Sequence, residues 1–255
     1  MTADRPAAVL WDLDGTLIDS EPYWMAEETL LVQRFGGTWT HEEALTLVGQ
    51  GLDFSATVLQ RAGVPWTSQE IIDHLTDSVM ERIRGALPWR PGARELLSAV
   101  REAGVPTALV TMSIRRMAEL VADAISSLDG HAAFDVIVSG SDVANSKPHP
   151  EAYLSAAAQL GVAPEDCIAI EDSPTGLAAA VASGARSIGI PLVLPLPDPD
   201  DAAAHWTVWD TLEGRTVADL AEVLSAGRAA GSHREAETES AAETGAADTR
   251  AGVQS

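Results

Sequence analysis

Cysteine occurs once in the 255 residues, at Cys167. That excludes an internal disulfide framework and a cysteine-ligated zinc finger. Lysine is equally scarce: of 16 Lys and Arg residues, Lys147 alone is lysine. Basic residues are outnumbered by 38 acidic ones, giving a formal net charge of −22. A surface of that sign repels nucleic-acid backbones and anionic lipid, so neither is expected as a partner. No apolar run is long enough to cross a bilayer. The apolar stretch within Met1 to Asp14 is too short for the core of an export signal, so a cytoplasmic location is expected. Aromatic residues make up 5% of the chain, and seven of them are tryptophan.

What remains is a globular composition. Hydrophobic residues make up 46% of the chain, and the length suits one large domain or two modest ones. Val9, Leu10 and Trp11 form a short apolar run ending at Asp12, which reads as a buried strand. Residues 21–87 read as helical throughout, with capping-box starts at Thr40/Glu43 and Thr67/Glu70. Ile71, Ile72, Leu75, Val79 and Ile83 recur at helical spacing. From residue 91 strands and helices alternate: helix 91–103, strand 107–111, helix 114–128, strand 134–138, helix 151–160, strand 167–170, helix 174–183, strand 186–190. A last strand is expected at 206–209 and a last helix at 217–224. Alternation of this kind predicts an α/β fold, a doubly wound parallel sheet with an inserted all-helical domain. The expected division is a core of residues 1–18 and 89–225 and a helical insertion of residues 19–88. Residues 226–255 are rich in alanine and acidic residues, lack aromatics, and are expected to be disordered.

Ligands of open parallel sheets sit at the carboxyl ends of the strands. Four such ends carry chemistry: Asp12-Leu-Asp14-Gly15, then Thr111-Met112-Ser113, then a loop reaching Lys147, then Glu171-Asp172. Asp12 and Asp14 are two apart on extended chain, so their side chains point the same way. One can act as nucleophile and the other as proton carrier. Gly15 permits a tight turn with backbone close to a ligand. A carboxylate attacking a phosphate dianion meets repulsion of about 4 kcal/mol per charge pair at 4 Å, for an effective dielectric near 20. Asp12 and Asp172, with Glu171 beside them, form an oxygen-rich set suited to Mg²⁺, and Lys147 adds a second positive charge. Thr111 and the adjacent backbone N–H groups, including that of Met112, can hold phosphate oxygens.

These four stretches, in this order and on these elements, resemble the motifs of the haloacid dehalogenase superfamily of phosphohydrolases. The strings Asp19-Ser-Glu-Pro-Tyr-Trp24, Ser146-Lys-Pro-His-Pro150 and Glu171-Asp-Ser-Pro-Thr-Gly176 are similar to its sugar-phosphatase and beta-phosphoglucomutase-like branch. The resemblance implies that Asp12 forms an aspartyl-phosphate and that Asp14 protonates the leaving alcohol, then activates water. It implies a Mg²⁺ site from the Asp12 carboxylate, the Asp14 backbone carbonyl and Asp172, with Glu171 a ligand directly or through water. Thr111 and Lys147 would bind the phosphoryl oxygens of a small phosphorylated metabolite, expected to be a sugar phosphate. The helical insertion would be a cap, hinged near residues 19–21 and 87–89, with specificity residing around Trp24 and the loop 48–53 that contains Gly49.

The chain departs from the phosphomutase members of that branch. Trp24 stands where they carry a histidine, and the loop 48–53 has no arginine for a second phosphate. Hydrolysis is therefore the expected reaction, with a phosphomutase as the alternative. A signalling receiver uses similar groups in a different order, and an EF-hand would require an acid where Tyr23 stands. His41, His74 and His149 have no partner at metal-ligand spacing. Ser113 and Arg115 read as solvated helix-start residues, and Cys167 as a core thiol.

Overall fold

A computed structural model describes residues 5–198 and 206–226. Six parallel strands form one sheet: β1 (Ala8–Trp11), β2 (Thr107–Val110), β3 (Val136–Val138), β4 (Cys167–Glu171), β5 (Arg186–Gly189) and β6 (Trp206–Val208). Their order is β3-β2-β1-β4-β5-β6, so the winding reverses between β1 and β4. That is the crevice where open parallel sheets hold ligands. All four residues of β1 are fully buried, as expected for a central strand covered on both faces.

The period-2 alternation of each strand divides the core into two layers. Val9, Trp11, Leu109, Ile168 and Ile188 face one side. There they meet α5 (Ala93–Glu102), α6 (Arg115–Asp129) and the helix at 217–226, here α9. Ala8, Leu10, Ala108, Val110 and Ala169 face the other side, against α7 (Glu151–Leu160) and α8 (Pro174–Ala182). That second layer is built largely of alanine, which lets its helices approach the sheet closely. The α/β doubly wound fold is thus as the alternation implied.

The stretch between β1 and α5 holds four helices: α1 (Glu21–Arg34), α2 (His41–Leu45), α3 (Leu52–Arg61) and α4 (Ser68–Gly85). Both capping boxes form, at Thr40/Glu43 and Thr67/Glu70. The expected apolar stripe of α4 is buried from Ile71 to Ile83. The two connections to the sheet run side by side. Asp19 N donates to Pro88 O at 2.7 Å, Arg90 N donates to Leu17 O at 2.9 Å, and Ile18 and Trp89 form an antiparallel bridge. Arg116 on α6 pairs with Asp73 and Asp77 on α4, a second tie between helical block and sheet layer.

Several boundaries shift by a residue or two: β1 begins one residue earlier, at Ala8, β2 ends at Val110, β4 reaches Glu171, and β3 begins at Val136 rather than Phe134. Before β3 starts, the Asp135 carboxylate accepts from Thr107 N at 2.8 Å, so a side chain does what the ladder would have done. The expected disordered tail lies outside the described residues, apart from Ala226. Among the described residues, no helix is long and apolar enough to cross a membrane.

One buried cation fastens the linker to the sheet. Arg90 donates to Gly15 O at 2.9 Å and to Pro191 O at 3.4 Å. Replacing Arg90 by methionine keeps the stem and leaves those carbonyls without donors. The variant should lose about 1–3 kcal/mol of stability in equilibrium urea unfolding; a midpoint equal to wild type would contradict this.

Candidate active site

The register of β1 against β4 pairs Trp11 with Ile170, and Asp12 N donates to Ile170 O. The residues just past β1 and at the end of β4 therefore emerge side by side. Asp12, Glu171 and Asp172 each offer a carboxylate oxygen within 4.8 Å of the others, and all three are buried. Lys147 enters from the loop after β3. Its ammonium donates to Asp12 Oδ1 at 2.7 Å, Glu171 Oε1 at 2.6 Å and Val110 O at 2.9 Å. Those three bonds use all three N–H groups. A planar guanidinium fork cannot aim at three acceptors spread in this way, which accounts for a lone lysine in an arginine-rich chain.

Charge and burial compete here. Burial and the neighbouring Glu171 charge push Asp12 up to about 7, against the opposing pull of Lys147. Burial works against the Lys147 charge, but the Asp12 and Glu171 carboxylates prevail and hold its pKa above that of free lysine. Asp172 is raised well above the ordinary carboxylate range, by burial first and then by the Asp12 and Glu171 charges. Three carboxyls thus share one ammonium. The buried Glu171 Oε2 has no hydrogen-bond partner, while Oε1 also accepts from Tyr153 OH at 2.5 Å.

Asp14 points elsewhere. Its carboxylate accepts from Ser20 Oγ at 2.5 Å, Ser113 Oγ at 2.7 Å, Trp24 Nε1 at 3.2 Å and Thr111 Oγ1 at 3.4 Å. It lies outside the carboxylate group formed by Asp12, Glu171 and Asp172. Two of its donors come from the end of β2 and two from the start of the helical block, so Asp14 spans the boundary between them. Gly15 takes the positive φ of +85° that a side chain resists, and a Cβ there would lie 2.1 Å from Asp172 Oδ2.

Above these groups lies a cavity whose lining includes Asp12, Asp14, Trp24, Met112, Lys147 and Asp172. Thr111 and Gly49 line it too. The Gly49 carbonyl accepts from Thr175 Oγ1 at 2.9 Å, which ties the loop 48–53 to the start of α8. Gly15, Glu171 and Arg115 do not line the cavity. Ser113 corrects the sequence reading: it is buried and bonded to Asp14, because the turn after β2 folds inward and its N–H closes on Thr111 Oγ1 at 3.0 Å. Gln50 lies in the wall, within the loop 48–53 where specificity was expected, and Glu21, expected as part of the hinge, lines the wall as well. Sequence reasoning passed over Glu28 in the wall and Tyr153 behind Glu171. The spacing of Glu21, Trp24 and Glu28 on one helix was the available signal for Glu28. Cys167 is buried, and its thiol is pushed up to about 12 by burial and nearby acids, consistent with a core residue.

Glu28 gives the site a pH signature. Burial pushes it from 4.5 to about 8. The folded protein therefore keeps a proton that the unfolded chain has already released. The stability from this group is present below its unfolded pKa and is lost as pH rises through about 8. Urea midpoints measured from about pH 5 to about pH 8 should fall more steeply for wild type than for Glu28→Gln. Parallel slopes would contradict the assignment.

The sequence and the fold have counterparts among known proteins. A model of the haloacid dehalogenase-like hydrolases matches residues 9–190. Hexitol phosphatase B of Escherichia coli is 33% identical over 196 residues, spanning 75% of this chain and 86% of the relative. Protein CbbY of Rhodobacter capsulatus is 32% identical over 219 residues, spanning 83% and 96%. Among solved structures, CbbY of Rhodobacter sphaeroides in complex with phosphate superposes with a TM-score of 0.70 at 27% identity, covering 82% of this chain and 96% of that one. A family hydrolase of Deinococcus radiodurans with bound phosphate and sodium gives a TM-score of 0.59 at 33% identity, covering 88% and 97%. The strand-end carboxylates, the lysine between them and the match over residues 9–190 agree, and this chain belongs to the haloacid dehalogenase-like hydrolases.

Proposed function

We propose that this protein hydrolyses the phosphate monoester of a small phosphorylated metabolite, through an aspartyl-phosphate formed on Asp12. The observation that carries the reading is the convergence of Asp12, Lys147 and Asp172 at the sheet's switch point. Lys147 fixes the Asp12 carboxylate and supplies a positive charge where phosphoryl oxygens gather. Asp12 attacks phosphorus, and the ester oxygen leaves with a proton from Asp14. Asp14 then takes a proton from water, whose oxygen attacks the phosphorus of the aspartyl-phosphate and restores Asp12. Ser113 and Thr111, which hold Asp14 on the β2 side, keep its carboxylate at the cavity wall. The helical block of residues 19–88 acts as a cap, with the paired linkers at 17–19 and 88–90 as its hinge.

The donor set fits a hard divalent cation. It is all oxygen, and its three carboxyls are offset by one ammonium, a deficit that buried sites rarely tolerate. Asp12 and Asp172, with the Asp14 backbone carbonyl, would hold Mg²⁺, and Glu171 would support the site from behind. The ion, when bound, supplies the charge that keeps Asp12 ionised and offsets that of the phosphoryl group. The relatives named as phosphatases and the phosphate complexes of CbbY and the Deinococcus hydrolase support the same reaction class. We also place the enzyme in the cytoplasm.

Asp12→Asn removes the nucleophile with little change in shape. It should lower phosphate release from an aryl phosphate by more than about 10⁴-fold while circular dichroism and urea midpoint stay near wild type. Chelating divalent ions should likewise stop wild-type turnover, and added Mg²⁺ should restore it. Turnover that survives either treatment would contradict the reading.

A further inference from the structure

Helix α1 turns one face into the cavity. Glu21, Trp24, Met25 and Glu28 fall at helical spacing, and all four line the wall. Trp24 is engaged with Asp14, whereas Glu28 has unused capacity. It is 5% exposed, and its Oε2 has no hydrogen-bond partner. The nearby Trp39 indole favours the ionised form of Glu28, but its Nε1 is itself outside hydrogen-bond geometry with any acceptor. Gln50 contributes a neutral amide from the loop before α3. Among the described residues lining this cavity, Lys147 is the sole cation, and its three N–H groups are taken by Asp12, Glu171 and Val110.

A buried polar wall with open hydrogen-bonding capacity and no free positive charge selects by chemistry. A neutral polyol satisfies it, because each hydroxyl both donates and accepts. Burial pushes Glu28 up to about 8, so near neutrality its carboxyl also both donates and accepts. A second phosphate or a carboxylate would lose its water here with no cation in exchange. We propose that Glu28, with Glu21 and Gln50, selects substrates whose portion beyond the scissile phosphate is a neutral polyol and rejects those carrying a second anionic group there. This rests on the hydrolase reading above and goes further by naming the residues that choose among phosphorylated metabolites and the group they exclude. The same wall rules against phosphomutase chemistry, in which a bisphosphate must be gripped at both ends.

The test is a comparison of kcat/KM for phosphate release by the full chain with Mg²⁺. The substrates are a hexitol monophosphate, xylulose 1,5-bisphosphate and phosphoglycolate. Wild type should favour the hexitol monophosphate over each of the others by at least about 100-fold. Glu28→Leu should cut that preference at least about tenfold, mainly through KM for the polyol ester. Glu28→Gln, which keeps a donor and an acceptor, should retain most of it. Glu28→Arg, which adds the missing cation, should shift the ratio toward the bisphosphate. Ratios taken within one variant do not depend on how much of it is folded. A wild-type preference for the bisphosphate or phosphoglycolate would overturn the proposal, as would wild-type ratios in both Glu28→Leu and Glu28→Arg. No release from any of the three or from an aryl phosphate would overturn the hydrolase reading, and this proposal with it.

Discussion

Three buried carboxyls share one ammonium, and most of the site follows from that imbalance. Asp12, Glu171 and Asp172 come together because β1 and β4 are neighbours in register and both strands end at the same level. Isolated, such a group would repel itself and take up protons. Lys147 prevents full collapse of the charge by bonding two of the carboxylates and the Val110 carbonyl at once. It leaves a deficit, which adds to the effect of burial in raising the pKa values of Asp12 and Asp172. Under the proposed function, a divalent cation would remove the deficit, and a phosphoryl group would bring fresh negative charge to the same spot.

The rest of the fold holds this arrangement still and covers it. Tyr153, from a helix otherwise rich in alanine, reaches Glu171 from behind. Arg90 ties the turn at Gly15 to the end of β5. Asp14 takes hydrogen bonds from both the sheet and the helical block, through Ser113 and Thr111 on one side and Ser20 and Trp24 on the other. Movement of the block would therefore change the surroundings of Asp14 directly. The wall that faces the cavity from α1 carries no cation, which bears on what kind of molecule can enter.

Much of this was legible in the sequence. Strand-helix alternation exposed the doubly wound sheet, and reading only strand ends isolated Asp12, Asp14, Thr111, Lys147 and Glu171-Asp172. The two capping boxes located helix starts to the residue. The less legible residues depend on contacts distant in sequence. Arg90 meets Gly15 across 75 positions, and nothing local distinguishes it from a surface arginine. Tyr153 reads as one more core residue until Glu171 is placed beside it. Ser113 reads as a solvated helix start because the inward fold of its turn depends on the opposing Asp14. Glu28 sits on a helix with several glutamates, and which of them faces a cavity depends on how the block docks.

Thermal unfolding with and without Mg²⁺ is the most direct measurement of the charge deficit, because it needs no substrate. The account predicts that Mg²⁺ raises the Tm of wild type, by an increment that grows with the logarithm of Mg²⁺ concentration above its Kd. It also predicts that Asp172→Asn, which removes one carboxylate from the group, loses most of that increment. A wild-type Tm indifferent to Mg²⁺, or an undiminished increment in Asp172→Asn, would contradict it.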